Sequence, residues 1–317
     1  MFLASPITFP NLGITVDPSP VAFTAFGKDI YWYGIIIASG FLLAVLYMLH
    51  RAKDFGVTQD DVLDMILWAV PIGVVCARLY YCIFYWELYE DDPISMLYIW
   101  EGGLAIYGGI IGGVITLLVV AKVKKIPAPV LLDLAGMGVI IGQCIGRWGN
   151  FMNREAFGSE TTLPWRMRLT TVAGAYIEVH PTFLYESLWN LVGLLLLLFV
   201  VSRARRFDGE NTWFYFLWYG VGRSWIEGLR TDSLYLFDWT LFGAPIRVSQ
   251  VLSIAMVFVS LFMLVYNIKI KPHKPEELWV NQVAARKAAQ DALADTAAQP
   301  AAEPEVPETP ESPEEDK

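Results

Sequence analysis

Seven predominantly apolar stretches recur along the chain, at residues 31–50, 62–86, 104–121, 130–150, 182–202, 212–230 and 246–268. Each is long enough to cross a hydrocarbon core of ~30 Å at 1.5 Å per residue. A backbone inside lipid must satisfy its own hydrogen bonds, so such stretches fold as helices. The fold class is therefore an all-α membrane protein with about seven transmembrane helices. Composition agrees: 55% of residues are hydrophobic and only 17% are charged, where a soluble domain carries about 25%.

The loop charges order these spans. Arg51 and Lys53 follow the first, Lys122, Lys124 and Lys125 the third, Arg203, Arg205 and Arg206 the fifth, and Lys269, Lys271 and Lys274 the seventh. Every odd-numbered span exits into a basic cluster. The positive-inside rule places all four clusters in the cytoplasm. The N-terminus is then outside, the C-terminus is cytoplasmic, and the span count must be odd. The N-terminus does not read as a cleavable signal peptide. It lacks a basic start, and Pro6, Pro10, Pro18 and Pro20 interrupt any apolar run.

The net charge of -9 belongs to the tail: Pro275 to Lys317 holds eleven acids and three bases, leaving the membrane body near neutral. The basic residues lie in small clusters between spans, which gives no nucleic-acid footprint. Cys76, Cys82 and Cys144 sit in apolar stretches without metal-ligand spacing and read as small buried hydrophobes.

The chain thus divides into an extracytoplasmic N-terminal segment (1–30), helices one to four (31–150), an extracytoplasmic cap (151–181), helices five to seven (182–270) and an acidic cytoplasmic tail (271–317). The cap alternates polar and apolar residues over 166–169 and 176–179, which predicts short strands. The tail is rich in Ala, Glu and Pro, so disorder is expected, with a short helix possible over 276–295.

The informative residues are ionisable groups inside apolar spans, which normally face an interior cavity and are paired. Arg78 lies in span two, Arg147 and Asn150 close span four, Glu186 opens span five just after His180, and Arg223, Glu227 and Arg230 lie on span six. Arg147 and Asn150 are three apart, Arg223 and Glu227 four, and Glu227 and Arg230 three, so each set shares a helix face. The planar guanidinium fork suits a phosphate. Several arginines near one membrane face therefore predict a site for a phospholipid headgroup. A bland reading competes: each Arg pairs with a Glu and pins helices together.

The run from Gly146 to Gly158, GRWGNFMNREAFG, resembles the signature of the prolipoprotein diacylglyceryl transferase family, G-R-x-G-N-F-x-N-x-E-x-x-G. Further stretches are similar in order: Tyr31-Trp32-Tyr33-Gly34, Arg78-Leu79-Tyr80-Tyr81, Glu101 to Gly109, His180 to Glu186 (HPTFLYE), and Tyr219 to Arg230. The likeness covers about residues 20–270. It implies transfer of the diacylglyceryl group from phosphatidylglycerol to the lipobox cysteine thiol of a prolipoprotein signal peptide. A thioether forms and glycerol-1-phosphate leaves. No metal or organic cofactor is implied, the enzyme is membrane-embedded, and a monomer suffices.

By the same resemblance Arg147 and Arg223 hold the lipid phosphate, Asn150 and Tyr33 orient the headgroup, and Glu155 and Glu227 position the arginines or bind glycerol hydroxyls. Gly158 allows close packing in the cap. Arg78, Arg230 and His180 complete the substrate-binding set. Many members have histidine where this chain has Tyr107. A phenol ordinarily ionises near pH 10. Tyr107 is then a phenolate activated by arginines, or it hydrogen-bonds substrate without taking a proton, or the base is His180 or Glu155. A transporter is the competing class, since buried Arg–Glu ladders also mark substrate pathways. Another phospholipid-headgroup transferase would use the same arginines with a different acceptor.

Overall fold

The computed structural model describes residues 3–171, 174–231, 235–241 and 244–298. Seven helices match the predicted spans, all ends within three residues except that of α5, which stops six short: α1 Trp32–Arg51, α2 Gln59–Phe84, α3 Ile106–Lys124, α4 Ala128–Asn153, α5 Thr182–Leu196, α6 Glu210–Leu229 and α7 Val248–Val265. A π-helical turn extends α5 to Val201 and another extends α7 to Ile270. Among the described residues six of these are long and apolar enough to cross a membrane. The seventh, α6, is as long but carries Glu210, Arg223 and Glu227. Its polarity is what makes it informative, as shown below.

The helices pack as α1 on α4, α2 on α3, α4 on α5 and α6 on α7. Phe55, Val62, Met65, Leu131, Leu134 and Met137 fill the core between α1, α2, α3 and α4 near one end of the bundle. A capping box starts α2 there: the Thr58 hydroxyl accepts from the Asp61 N–H (3.1 Å), and the Asp61 carboxylate accepts from the Thr58 N–H (3.2 Å). The same end gathers the basic loops. Lys124 pairs with Asp64 at 2.5 Å, and Arg205 donates to the Asp54 carbonyl.

The opposite end carries the strands. The predicted cap strands exist as β5 (Met167–Thr171) and β6 (Tyr176–Val179), but they are half of a larger sheet. Residues 3–31 supply β1 (Leu3–Phe9), β2 (Ile14–Val16), β3 (Val21–Ala25) and β4 (Lys28–Tyr31). β1 pairs antiparallel with β5, giving the order β2-β1-β5-β6, while β3 and β4 form a separate hairpin. Pro6 falls where the β1–β5 register shifts, between Ala4 and Ile7, which is where a strand tolerates proline. Ile7, Met167, Leu169, Val179 and Phe183 bury the inner face of this sheet. On the sheet, Arg168 and Arg166 bracket Glu178 and hold its carboxyl below the usual range. The outer turn expected over 232–245 contains a hairpin of β7 (Tyr235–Leu241) and β8 (Ala244–Arg247).

In the tail, where a short helix is possible over 276–295, an eighth helix α8 runs Trp279–Ala298. Disorder beyond it concerns residues 299–317, which lie outside the described residues. The start of α8 is locked to the basic end. The Trp279 N–H donates to the Asp208 carboxylate (2.9 Å), and its indole N–H donates to the Gly56 carbonyl (3.0 Å). Gly56 has φ +66°, and a Cβ there would stand 2.8 Å from the Cα of Val280. Only glycine permits both the turn and the contact. We expect Trp279→Ala to cost about 1–3 kcal/mol, the loss of a partly buried aromatic and of the indole hydrogen bond to Gly56, while the backbone N–H keeps its bond to Asp208. Limited proteolysis should then release the tail faster than in the wild type. An unchanged cleavage rate would show that the lock holds nothing.

Candidate functional site

Three helices bring the charges singled out in the sequence to one place near the strand-bearing end. Arg147 lies six residues before the end of α4 and Arg223 six before the end of α6, about 9 Å inside each terminus at 1.5 Å per residue. Glu186 lies four residues into α5. Its carboxylate is shared: Oε2 meets the Arg147 Nε, and Oε1 accepts from the Arg223 Nη1 at 2.7 Å. Each arginine also has a partner on its own helix, as the three- and four-residue spacings require. Arg147 donates to the Asn150 Oδ1 at 3.3 Å, and Arg223 pairs with Glu227 at 2.6 Å.

The cluster is layered. The carboxylate side chains of Glu186 and Glu227 are 7% and 2% exposed, whereas those of Arg147 and Arg223 are 23% and 15% exposed. The acids sit behind and the guanidinium groups in front. An anion approaching from the membrane face meets donors first. These are charge-assisted bonds to a planar fork, the geometry suited to a phosphate.

The signature loop continues the cluster outward. Asn150 passes its amide to the exposed Glu155 (2.9 Å), which Asn153 also reaches (3.4 Å). Among the described residues Asn150 thus links Glu155 to Arg147. The chain turns sharply after α4. Arg154 (φ 54°) and Ala156 (φ 55°) are both left-handed, which costs about 1–2 kcal/mol per non-glycine residue. Hydrogen bonds hold the turn: the Arg154 guanidinium donates to the Pro18 carbonyl (2.7 Å) and the Thr182 hydroxyl to the Ala156 carbonyl. At Gly158 a Cβ would stand 2.7 Å from the His180 side chain and 3.1 Å from the Leu229 carbonyl. Its N–H donates to the His180 carbonyl, and Gly158 bridges to Arg230. The close packing expected of Gly158 is present, and it ties the ends of α5 and α6 together.

Tyr33 is half-exposed at the start of α1, its ring 2.8 Å from where a Gly149 side chain would begin. It thus stands beside the Arg147–Asn150 turn of α4. Tyr107 is half-buried at the start of α3. Its ring lies tilted against that of Tyr80 on α2, with centroids 6.4 Å apart.

Two predicted residues are placed elsewhere. Arg78 is buried, and its guanidinium is taken up by the carbonyls of Ser95, Met96, Gly102 and Gly103 at 2.7–3.2 Å. It also lies over the Tyr89 ring. It organises the connection between α2 and α3 instead of presenting a fork to a lipid. His180 lies in the cap seam, with Nδ1 3.2 Å from the Tyr185 hydroxyl, which accepts from the Trp165 indole (2.7 Å). Burial holds its imidazole below the ordinary range, so it is neutral at pH 7. Arg230 closes α6, its N–H donating to the Glu227 carbonyl. Arg247, at the end of β8, donates to that same carbonyl. Nothing singled out Arg247 in the sequence, though a basic residue before an odd-numbered span breaks the pattern of basic loops after them.

Comparison with known proteins gives a consistent result. The family model described as prolipoprotein diacylglyceryl transferase matches residues 20–266. A phosphatidylglycerol–prolipoprotein diacylglyceryl transferase of Limosilactobacillus reuteri is 43% identical over 274 residues, covering 83% of this chain and 95% of the relative. Proteins of the same name from Lactiplantibacillus plantarum (41% over 271 residues; 82% and 92% covered) and Listeria innocua (40% over 287 residues; 87% and 100%) are similar.

Proposed function

The chain belongs to the prolipoprotein diacylglyceryl transferase family, and from that premise we propose how its arginine cluster serves the reaction. It is a multi-pass bacterial membrane transferase that moves the diacylglyceryl group of phosphatidylglycerol to a prolipoprotein, in the maturation of lipoproteins. The observation that supports our site assignment is the convergence of Arg147 and Arg223 on Glu186, with the guanidinium groups foremost.

The nucleophile is the lipobox cysteine of the substrate. A free thiol has a pKa near 8.5, so a small fraction is thiolate at neutral pH. Sulfur attacks the glyceryl carbon that carries the phosphate ester. The S–C bond forms as the C–O bond breaks, and the electron pair stays on the phosphate oxygen. Glycerol-1-phosphate leaves with one more negative charge than the diester carried. Arg147 and Arg223 meet that growing charge; a single pre-placed donor of this kind is typically worth ~3 kcal/mol. Asn150, held by Glu155, and Tyr33 orient the headgroup, and Tyr107 hydrogen-bonds substrate. The thiol proton goes to a base that the cluster does not single out.

The basic end faces the cytoplasm, because the clusters after α1, α3, α5 and α7 gather there. The strand-bearing end and the arginines then face outward, where a signal peptide presents its cysteine. One chain supplies every residue of the cluster, so a monomer acts. The transporter alternative would need the arginines reachable from both faces, yet the basic half is filled by Phe55, Val62, Leu131, Leu134 and Met137, each fully buried.

The test is a transfer assay in vesicles with a lipobox peptide. Phosphatidylglycerol vesicles should yield thioether and glycerol-1-phosphate in equal amounts. Folded protein that binds phosphatidylglycerol yet forms no thioether would overturn this reading.

A further inference from the structure

Glu186 has no assigned part in the reaction, yet it is the hub of the cluster. Its carboxylate is the one group among the described residues that touches both arginines, and it does so from a third helix. We propose that Glu186 is the positioning residue of the phosphate site, setting the spacing and orientation of the Arg147 and Arg223 guanidinium groups. This inference rests on the reading of those arginines given above.

The geometry carries it. Arg147 uses Nε on Glu186 and Nη1 on Asn150; Arg223 uses Nη1 on Glu186 and Nη2 on Glu227. Each guanidinium is thus fixed at two points, which removes the rotamer freedom of a long side chain. Two like charges would otherwise move apart. Glu186 holds them together from behind, and its burial (6% exposed) keeps water from competing. Two arginines against Glu186 and Glu227 also leave the cluster near neutrality. The donors are therefore in place before any anion arrives, and no reorganisation is needed as charge develops.

A purely structural clamp between α4, α5 and α6 would place the same contacts. The two roles differ in kinetics. A clamp lowers the amount of folded protein and leaves turnover per folded molecule alone. A positioning residue acts through the arginines, so its effect vanishes once an arginine is compromised.

The experiment is a double-mutant cycle in phosphatidylglycerol vesicles with a lipobox peptide. It compares wild type, Glu186→Gln, Arg223→Lys and the double variant, each normalised to folded protein by thermal unfolding. Glu186→Gln should lower kcat about 10- to 100-fold, with KM for phosphatidylglycerol changed less than about threefold. The double variant should fall no more than about threefold below Arg223→Lys alone. Wild-type kcat in Glu186→Gln, or losses that multiply in full, would overturn the proposal. Should Glu186→Gln not fold, Glu186→Asp carries the same cycle: it keeps the charge but cannot span both guanidinium groups. If Arg223→Lys itself turned over like an active wild type, the phosphate reading of the arginines would fail instead.

Discussion

Replacing Arg223 with alanine should cut transfer per folded molecule by about 10²–10³-fold, and Arg147→Ala should do the same. Each guanidinium is pre-placed where the leaving phosphate gains charge, so its removal is felt in kcat more than in KM. The two losses will not add. The arginines share Glu186, and groups that act as a unit are strongly non-additive. Arg223→Ala also takes the guanidinium from the buried Glu227, which costs about 3–5 kcal/mol of stability, whereas Arg147→Ala leaves Glu186 paired with Arg223. Rates must therefore be referred to folded protein, and Arg→Lys variants serve as controls. Lysine keeps the charge and loses the fork, so it should fall between wild type and alanine. The measurement follows thioether and glycerol-1-phosphate together. Either alanine variant retaining more than about a tenth of wild-type turnover would remove that arginine from the phosphate site.

The helical part of this fold is legible because hydropathy and loop charge report the same physical boundary. With the π-helical turns counted, each helix end lies within three residues of its predicted position. The sheet was half legible. Strand alternation gives β5 and β6, but β1 is interrupted by Pro6 at a bulge, and its partner β5 lies some 160 residues away in sequence. No local pattern reports that pairing. Residue roles divide in the same way. Spacing along one helix correctly pairs Arg147 with Asn150 and Arg223 with Glu227. It says nothing of what stands opposite. Arg78 and Arg147 look alike in sequence, each an arginine in an apolar span. One meets four carbonyls of its own loop, and the other meets a shared carboxylate. Glu186 is visible as a misplaced charge, yet its bridging of two helices is a tertiary fact.

Asp133 was passed over entirely, and it predicts the largest stability effect. It lies in α4, fully buried, and caps another helix. Its Oδ2 accepts the Gly209 N–H, and its Oδ1 accepts both the N–H and the hydroxyl of Thr212, all at 2.8 Å. Those N–H groups belong to the buried start of α6, where a helix has no backbone partners of its own and favours a negative charge. Asp133→Ala would leave three donors unpaired in a dry interior, at about 1–3 kcal/mol each. A total of about 4 kcal/mol corresponds to a fall of roughly 10 °C in the unfolding midpoint. Asparagine should not rescue it. Its amide could accept from Thr212, but it would turn N–H groups toward the Gly209 N–H. The consequence reaches the site, because α6 is pinned by Asp133 at one end and by the Gly158–Arg230 bridge at the other. Those pins fix where Arg223 and Glu227 stand against Arg147 on α4. Thermal unfolding of the purified protein in detergent decides the matter. An Asp133→Ala variant that unfolds with the wild type would mean that α6 is held by its packing against α4, α5 and α7 without this cap.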